Sequence, residues 1–131
     1  MIIYLDTSAA MKLLVQEPES AALADYLETA RRGTDTLVAS LLLHTELQCA
    51  ANRRPEDIQR GAVADVLSTV ALVDVESGDL TTAPLLPGRL GSADAVHLAT
   101  ALRVSARAIA VYDGELSAAA MTAGLKVLSP G

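Results

Sequence analysis

Aromatic side chains are almost missing from this 131-residue chain, which has no tryptophan, no phenylalanine and three tyrosines. Its 51% hydrophobic fraction must therefore build a core from Leu, Val, Ile and Ala, a composition suited to helices packed closely on a sheet. Cysteine occurs once, at Cys49, which excludes an intrachain disulfide or a cysteine zinc cluster and agrees with a reducing compartment. Cys49 is expected to be a small core residue. No apolar run approaches the roughly 18 to 20 residues that span a bilayer, and the opening Met1-Ile2-Ile3-Tyr4-Leu5-Asp6 lacks the basic region of a signal peptide. The chain is therefore expected in the cytoplasm, without membrane association. Cations are also scarce, at 10 Lys and Arg against 16 acids, for a net charge of −6. That balance excludes binding of nucleic acid by a broad basic surface, unless the acids gather at a metal site whose cation itself meets a phosphate. Arg53, Arg54, Arg89, Arg103 and Arg107 remain available to a phosphate backbone.

What is present is an alternation of strand and helix signals in a length that suits one domain, spanning 1–131. Ile2-Ile3-Tyr4-Leu5 reads as a strand ending at Asp6, with Thr7 or Ser8 capping a short helix over Ala9 to Leu14. Glu17-Pro18-Glu19-Ser20 breaks that helix, and a second one from about Glu19 stops at Arg31-Arg32-Gly33. Thr36 to Ala39 reads as a strand, Ser40 as a cap, and Leu41 to Arg54 as a helix ended by Pro55. A helix from Pro55 to about Ser68 and a strand over Val70 to Val75 follow. Gly78, Pro84, Pro87 and Gly88 make the stretch to Gly91 irregular, with one short helix around Leu80 to Leu86. Ser92 caps a helix from Ala93 to about Val104; then come a strand to Tyr112, a helix over Glu115 to Ala123, and a closing Lys126-Val127-Leu128 strand. Such alternation predicts an α/β fold: a central parallel sheet of about five strands with helices on both faces.

In sheets of this kind ligands bind outside the carboxyl ends of the strands, where strand ends and helix starts converge. Four acids fall there. Asp6 and Asp113 follow strand-like runs, Asp94 lies in the first turn of a helix, and Glu46 is six residues past Ser40, roughly 9 Å along its helix axis. Singly, Asp6 is a cap and Asp94 a partner of the helix dipole. Glu46 is harder to dismiss, because Leu43, Leu47 and Ala50 make an apolar setting costly for a bare charge. Oxygen ligands of this type hold hard cations such as Mg²⁺ and Mn²⁺, which supply a usable water nucleophile and neutralise charge developing on a phosphodiester. Asp6, Asp94 and Asp113, assisted by Glu46, are thus the expected metal and catalytic residues for in-line attack of water on a nucleic-acid phosphodiester, with no covalent protein nucleophile. Glu115 is a further acid able to supplement Asp113. His97, one turn from Asp94, is expected to be a neutral core histidine bonded to a neighbour, and His44 to face away from Glu46.

The opening Met-Ile-Ile-Tyr-Leu-Asp-Thr-Ser-Ala, the helical Glu46, Ser92-Ala-Asp-Ala-Val-His-Leu-Ala-Thr-Ala, and Ala110-Val-Tyr-Asp-Gly-Glu-Leu together resemble a PIN domain from end to end. The closing Gly124-Leu-Lys-Val-Leu-Ser-Pro-Gly adds a likeness to the VapC toxins of bacterial toxin–antitoxin pairs. The resemblance implies a Mg²⁺- or Mn²⁺-dependent endoribonuclease, usually a homodimer, held inactive by a VapB-type antitoxin. It matches Asp6, Glu46, Asp94 and Asp113 to the family's acidic quartet and Ser8 to a polar residue supporting the first aspartate. Val111 and Tyr112 depart from the family's Thr-containing stretch before the last aspartate. A signalling receiver domain is the alternative, with Asp74 as phosphoacceptor and Mg²⁺ beside it; it lacks an acidic pair after strand one and leaves Glu46 and Asp94 unexplained. Exposed leucines on the first two helices, Leu14, Leu23 and Leu27, are expected to form a partner surface.

Overall fold

The computed structural model describes all residues, 1–131. Strands β1 (Ile2–Leu5), β2 (Thr36–Ser40), β3 (Ala71–Val73), β4 (Ala108–Ala110) and β5 (Lys126–Leu128) form one parallel sheet in the order β3-β2-β1-β4-β5. The helices are α1 (Thr7–Leu14), α2 (Ser20–Arg32), α3 (Leu42–Arg53), α4 (Arg60–Ser68), α5 (Ser77–Thr82), α6 (Ser92–Arg103) and α7 (Gly114–Thr122), with a 3₁₀ turn over Ala83–Leu85.

The strand order explains the layering. The chain steps one way across the sheet from β1 to β3 and then crosses back to β4 and β5. Right-handed crossovers in opposite directions lie on opposite faces. Helices α1 to α4 accordingly contact one another on one face, and α5, α6 and α7 do so on the other. The middle strand is hidden on both sides, which is why β1 reads as an unbroken apolar run: Ile3, Tyr4 and Leu5 are fully buried. β1 pairs Tyr4 with Val38 on one side and with Ile109 on the other.

Several boundaries differ from the sequence-based expectation. Pro55 to Asp57 form a turn, and α4 starts only at Arg60, because Ile58 is folded into the core ahead of it. Asp6, not Thr7 or Ser8, caps α1, and Gly91 occupies the cap position before α6. Cys49 is exposed, on the outer face of α3 opposite Leu43, Leu47 and Ala50, and is not a core residue. Leu23 and Leu27 are buried in the main core and Leu14 packs against it, so they form no partner surface. An Asp at Leu23 would place a charge in the core and unfold the chain before it tested any assembly. No helix is long and apolar enough to cross a membrane.

Candidate functional site

The two halves of the sheet diverge between β1 and β4, and the end of β1 is stitched there to the end of β4. Asp6 N–H donates to the Ala110 carbonyl at 3.0 Å. Ser8 closes the second stitch: its Oγ donates to Asp6 Oδ2 at 2.6 Å and accepts the Tyr112 N–H at 2.9 Å. Asp6 Oδ2 also accepts the Ser8 N–H at 3.0 Å, so one carboxylate oxygen is spent on capping α1. The other, Oδ1, is buried and has no hydrogen-bond partner, and Asp6 as a whole is only 1% exposed. A buried, bare carboxylate oxygen is unfavourable unless something positive meets it.

Asp113 repeats the arrangement across the sheet. It caps α7, its Oδ1 accepting the Leu116 N–H at 2.8 Å, while the residue itself is exposed. Thus Asp6 and Asp113 are helix caps and face the same edge as well. The Val111-Tyr112 pair is absorbed structurally: Val111 is buried and the Tyr112 hydroxyl donates to the Pro130 carbonyl at 2.6 Å.

Glu46 reaches this edge from α3 and His97 from α6, on the other face of the sheet. The Glu46 carboxylate is half-buried, and its Oε1 receives the Thr7 hydroxyl at 2.8 Å and stands 2.5 Å from His97 Nε2. Burial alone would raise its pKa, but the hydrogen bonds from His97 and Thr7 outweigh it, holding Glu46 below the ordinary carboxylate range. His97 is fully buried, with Nδ1 2.6 Å from the Tyr4 hydroxyl. It is a bonded core histidine, as its position on α6 led one to expect, and its partner is Glu46. His44 is exposed.

Asp94, in the first turn of α6, is the electrostatic centre of the group. Burial raises its pKa most, and Asp6, Asp113 and Glu46 each push it further up. Four acids from β1, α3, α6 and the end of β4 therefore share one field, close enough for one to feel the other three. They are neighbours in mutual repulsion; no three acidic, histidine or cysteine side chains stand as a ready-made cage for a metal ion. Glu115 is exposed on α7. Of the arginines open to a phosphate backbone, Arg103 is committed to Asp79, Glu76 and the Asp74 carbonyl, and Arg54 pairs with Asp57. Arg89 is exposed and unpaired in the loop that enters α6, held out by a turn at Gly88 whose φ of +85° favours glycine.

Comparison with known families decides the assignment. A model described as the PIN domain matches residues 3–121. The chain belongs to the PIN-domain family. Among curated relatives it is 39% identical to Ribonuclease VapC46 of Mycobacterium tuberculosis, across 98% of this chain and 97% of that one. It is 37% identical to Ribonuclease VapC35 of the same species, across 99% and 98%. Among solved structures, VapBC2 of Rickettsia felis, bound to a promoter DNA fragment, superposes with a TM-score of 0.79 at 16% identity over 100% of both chains. Mycobacterium tuberculosis VapC20, a sarcin–ricin loop cleaving toxin, gives 0.69 at 17% identity over 89% and 94%. This PIN domain is thus a VapC-type chain in sequence and fold. Its strand order separates it from receiver domains, whose sheets run 2-1-3-4-5. Asp74 moreover follows the edge strand β3, two strands away from Asp6.

Proposed function

We propose that this PIN domain is a metal-dependent endoribonuclease, the toxin of a type II toxin–antitoxin pair acting in the cytoplasm and neutralised by a cognate VapB-type antitoxin. The observation that carries the reading is the buried, unpartnered Asp6 Oδ1 beside three further acids. The donors are all carboxylate oxygens, and both ring nitrogens of His97 are engaged elsewhere, so the set suits Mg²⁺, with Mn²⁺ as a substitute, over zinc. Asp6, Glu46, Asp94 and Asp113 are the proposed ligands and catalytic residues. When bound, the ion supplies an activated water and offsets charge on the phosphodiester.

The protein's own part is to fix the donors. Ser8 holds Asp6 through one oxygen and leaves the second open; Thr7 and His97 do the same for Glu46. Asp113 is aimed by the α7 cap, and Arg89 stands open to an approaching phosphate at the entrance to α6. Neutralising four acids with a cation also answers the net charge of −6, which would otherwise repel RNA. Purified protein should cut total cellular RNA with Mg²⁺ or Mn²⁺ and stop in EDTA. Cutting that persists in EDTA, or RNA left intact while Mn²⁺ binds with calorimetric heat, would overturn the reading.

On this reading the homodimer implied by the family likeness forms through Leu80 of α5, 56% exposed, and Leu85 of the following 3₁₀ turn, 83% exposed, beside a cleft lined by Pro84, Leu90 and Val96 with Arg89 at its side. Leu85→Asp should shift the chain from dimer to monomer in a sizing experiment with the melting temperature nearly unchanged. A dimer surviving that change would place the interface elsewhere.

A further inference from the structure

The polar residues beneath Glu46 form a chain whose hydrogen-bond directions are fixed by chemistry. It begins at Ser40, at the end of β2. A backbone N–H can only donate, so the Ser40 N–H, 2.9 Å from the Tyr4 hydroxyl, makes that oxygen an acceptor. The Tyr4 proton must then go to its other neighbour, His97 Nδ1, at 2.6 Å. With Nδ1 accepting, the ring proton of a neutral imidazole lies on Nε2, which faces Glu46 Oε1 at 2.5 Å and Thr7 Oγ1 at 3.1 Å. The Thr7 hydroxyl donates to the same Oε1 at 2.8 Å. The opposite tautomer would set an imidazole lone pair against a carboxylate and leave the buried Tyr4 proton without an acceptor. Ser40, Tyr4 and His97 are all buried.

We infer that Tyr4, His97 and Thr7 are positioning residues that hold Glu46 by Oε1 alone and keep Oε2 free as a preset ligand for the divalent ion. The inference rests on Glu46 being a ligand, as proposed above. Its logic is that of outer partners at metal centres: a ligand locked in one orientation loses less freedom on binding, and loss of such a partner weakens metal affinity by roughly 10- to 100-fold. The chain links β2, β1, α6, α3 and α1, so the orientation of one carboxylate is set by both faces of the sheet. Tyr4 is one of only three aromatic residues in the protein. Phenylalanine would fill its space equally well, and the hydroxyl is what the chain needs.

The test uses the full chain and Mn²⁺ alone. Long-range ¹H–¹⁵N spectra of the metal-free protein should show His97 protonated at Nε2 with Nδ1 accepting; protonation at Nδ1 overturns the inference without touching the metal assignment. By calorimetry, Tyr4→Phe should weaken Mn²⁺ binding about 10-fold while circular dichroism stays native. Thr7→Val should weaken it similarly and Thr7→Ser restore it, which keeps the test decisive if Tyr4→Phe folds poorly. Glu46→Gln must weaken Mn²⁺ binding by more than either. Unchanged affinity in Glu46→Gln removes the ligand assignment and this inference together, whereas weakening in Glu46→Gln but in neither Tyr4→Phe nor Thr7→Val removes the positioning role alone.

Discussion

Replacing Asp94 with asparagine is expected to lower RNA cleavage about a thousandfold and, in the same molecule, to raise the melting temperature of the metal-free protein. The first effect follows from removing a proposed ligand from a site whose cation contributes several kcal/mol of charge stabilisation in the transition state, at a factor of ten for each 1.4 kcal/mol or so. The second follows from the field at Asp94. Burial first, then Asp6, Asp113 and Glu46, lift its folded pKa above the ordinary 3.8. A carboxyl with a raised folded pKa binds its proton more tightly in the native state, so stability falls as pH rises through that window, and the penalty persists at neutral pH. Asparagine has no charge to repel, so the penalty disappears. Thermal melts in EDTA and in Mn²⁺ check both halves: wild type should gain from Mn²⁺, and Asp94→Asn should start higher and gain little. A lower melting temperature for Asp94→Asn in EDTA would mean that the carboxylate serves mainly as a partner for the α6 dipole.

The four acids of the proposed site each carry a local signature in the sequence. Asp6 and Asp113 follow apolar strand runs, Asp94 opens a helix, and Glu46 sits awkwardly among leucines. Their gathering at one edge depends on strand order, which periodicity does not encode. The placement of β1 between β2 and β4 is what brings Asp6 and Asp113 together. The partners of Glu46 were hidden for the same reason: His97 is 51 residues away in sequence and approaches from the other face of the sheet. Surface and core were confused where the pattern was two-sided. Leu23 and Leu27 lie on an apolar stripe of α2 that turned out to face the sheet, and Cys49, flanked by leucines and alanines, turned out to face solvent. The helix expected from Pro55 shows the limit of capping signals. Proline and two acids are a sound helix start, yet burying Ile58 fixes the chain in a turn until Arg60.

Least visible of all was Asp79. The stretch after Asp74 carries acids and small polar residues and reads as a solvated loop, yet Asp79 is 2% exposed. It caps α5 through the Glu76 N–H at 3.0 Å, accepts the Thr100 hydroxyl at 3.3 Å, and takes two bonds from Arg103, from Nε at 2.8 Å and from Nη2 at 3.0 Å. Arg103 thereby ties α5 to the end of α6, the helix that carries Asp94 and His97. Arg103→Met should keep the aliphatic packing, strand the buried Asp79 charge, and lower the melting temperature by roughly 10 °C, the scale for a broken buried pair in a domain of this size. Adding Asp79→Asn to Arg103→Met should recover most of that loss, because the stranded charge is gone. The acid limb of stability separates this pair from simple packing. Burial raises the Asp79 pKa, but the Arg103 and Glu76 hydrogen bonds dominate and bring it below 3.8. A depressed folded pKa stabilises the protein above the unfolded value and is lost as pH falls through the folded one. Wild type should therefore lose stability steeply as pH drops below about 4, and Arg103→Met should show a shallower limb there. Equal limbs in the two proteins would mean that Asp79 is held by its cap and by Thr100 alone, and that α6 keeps its acids in place without the arginine.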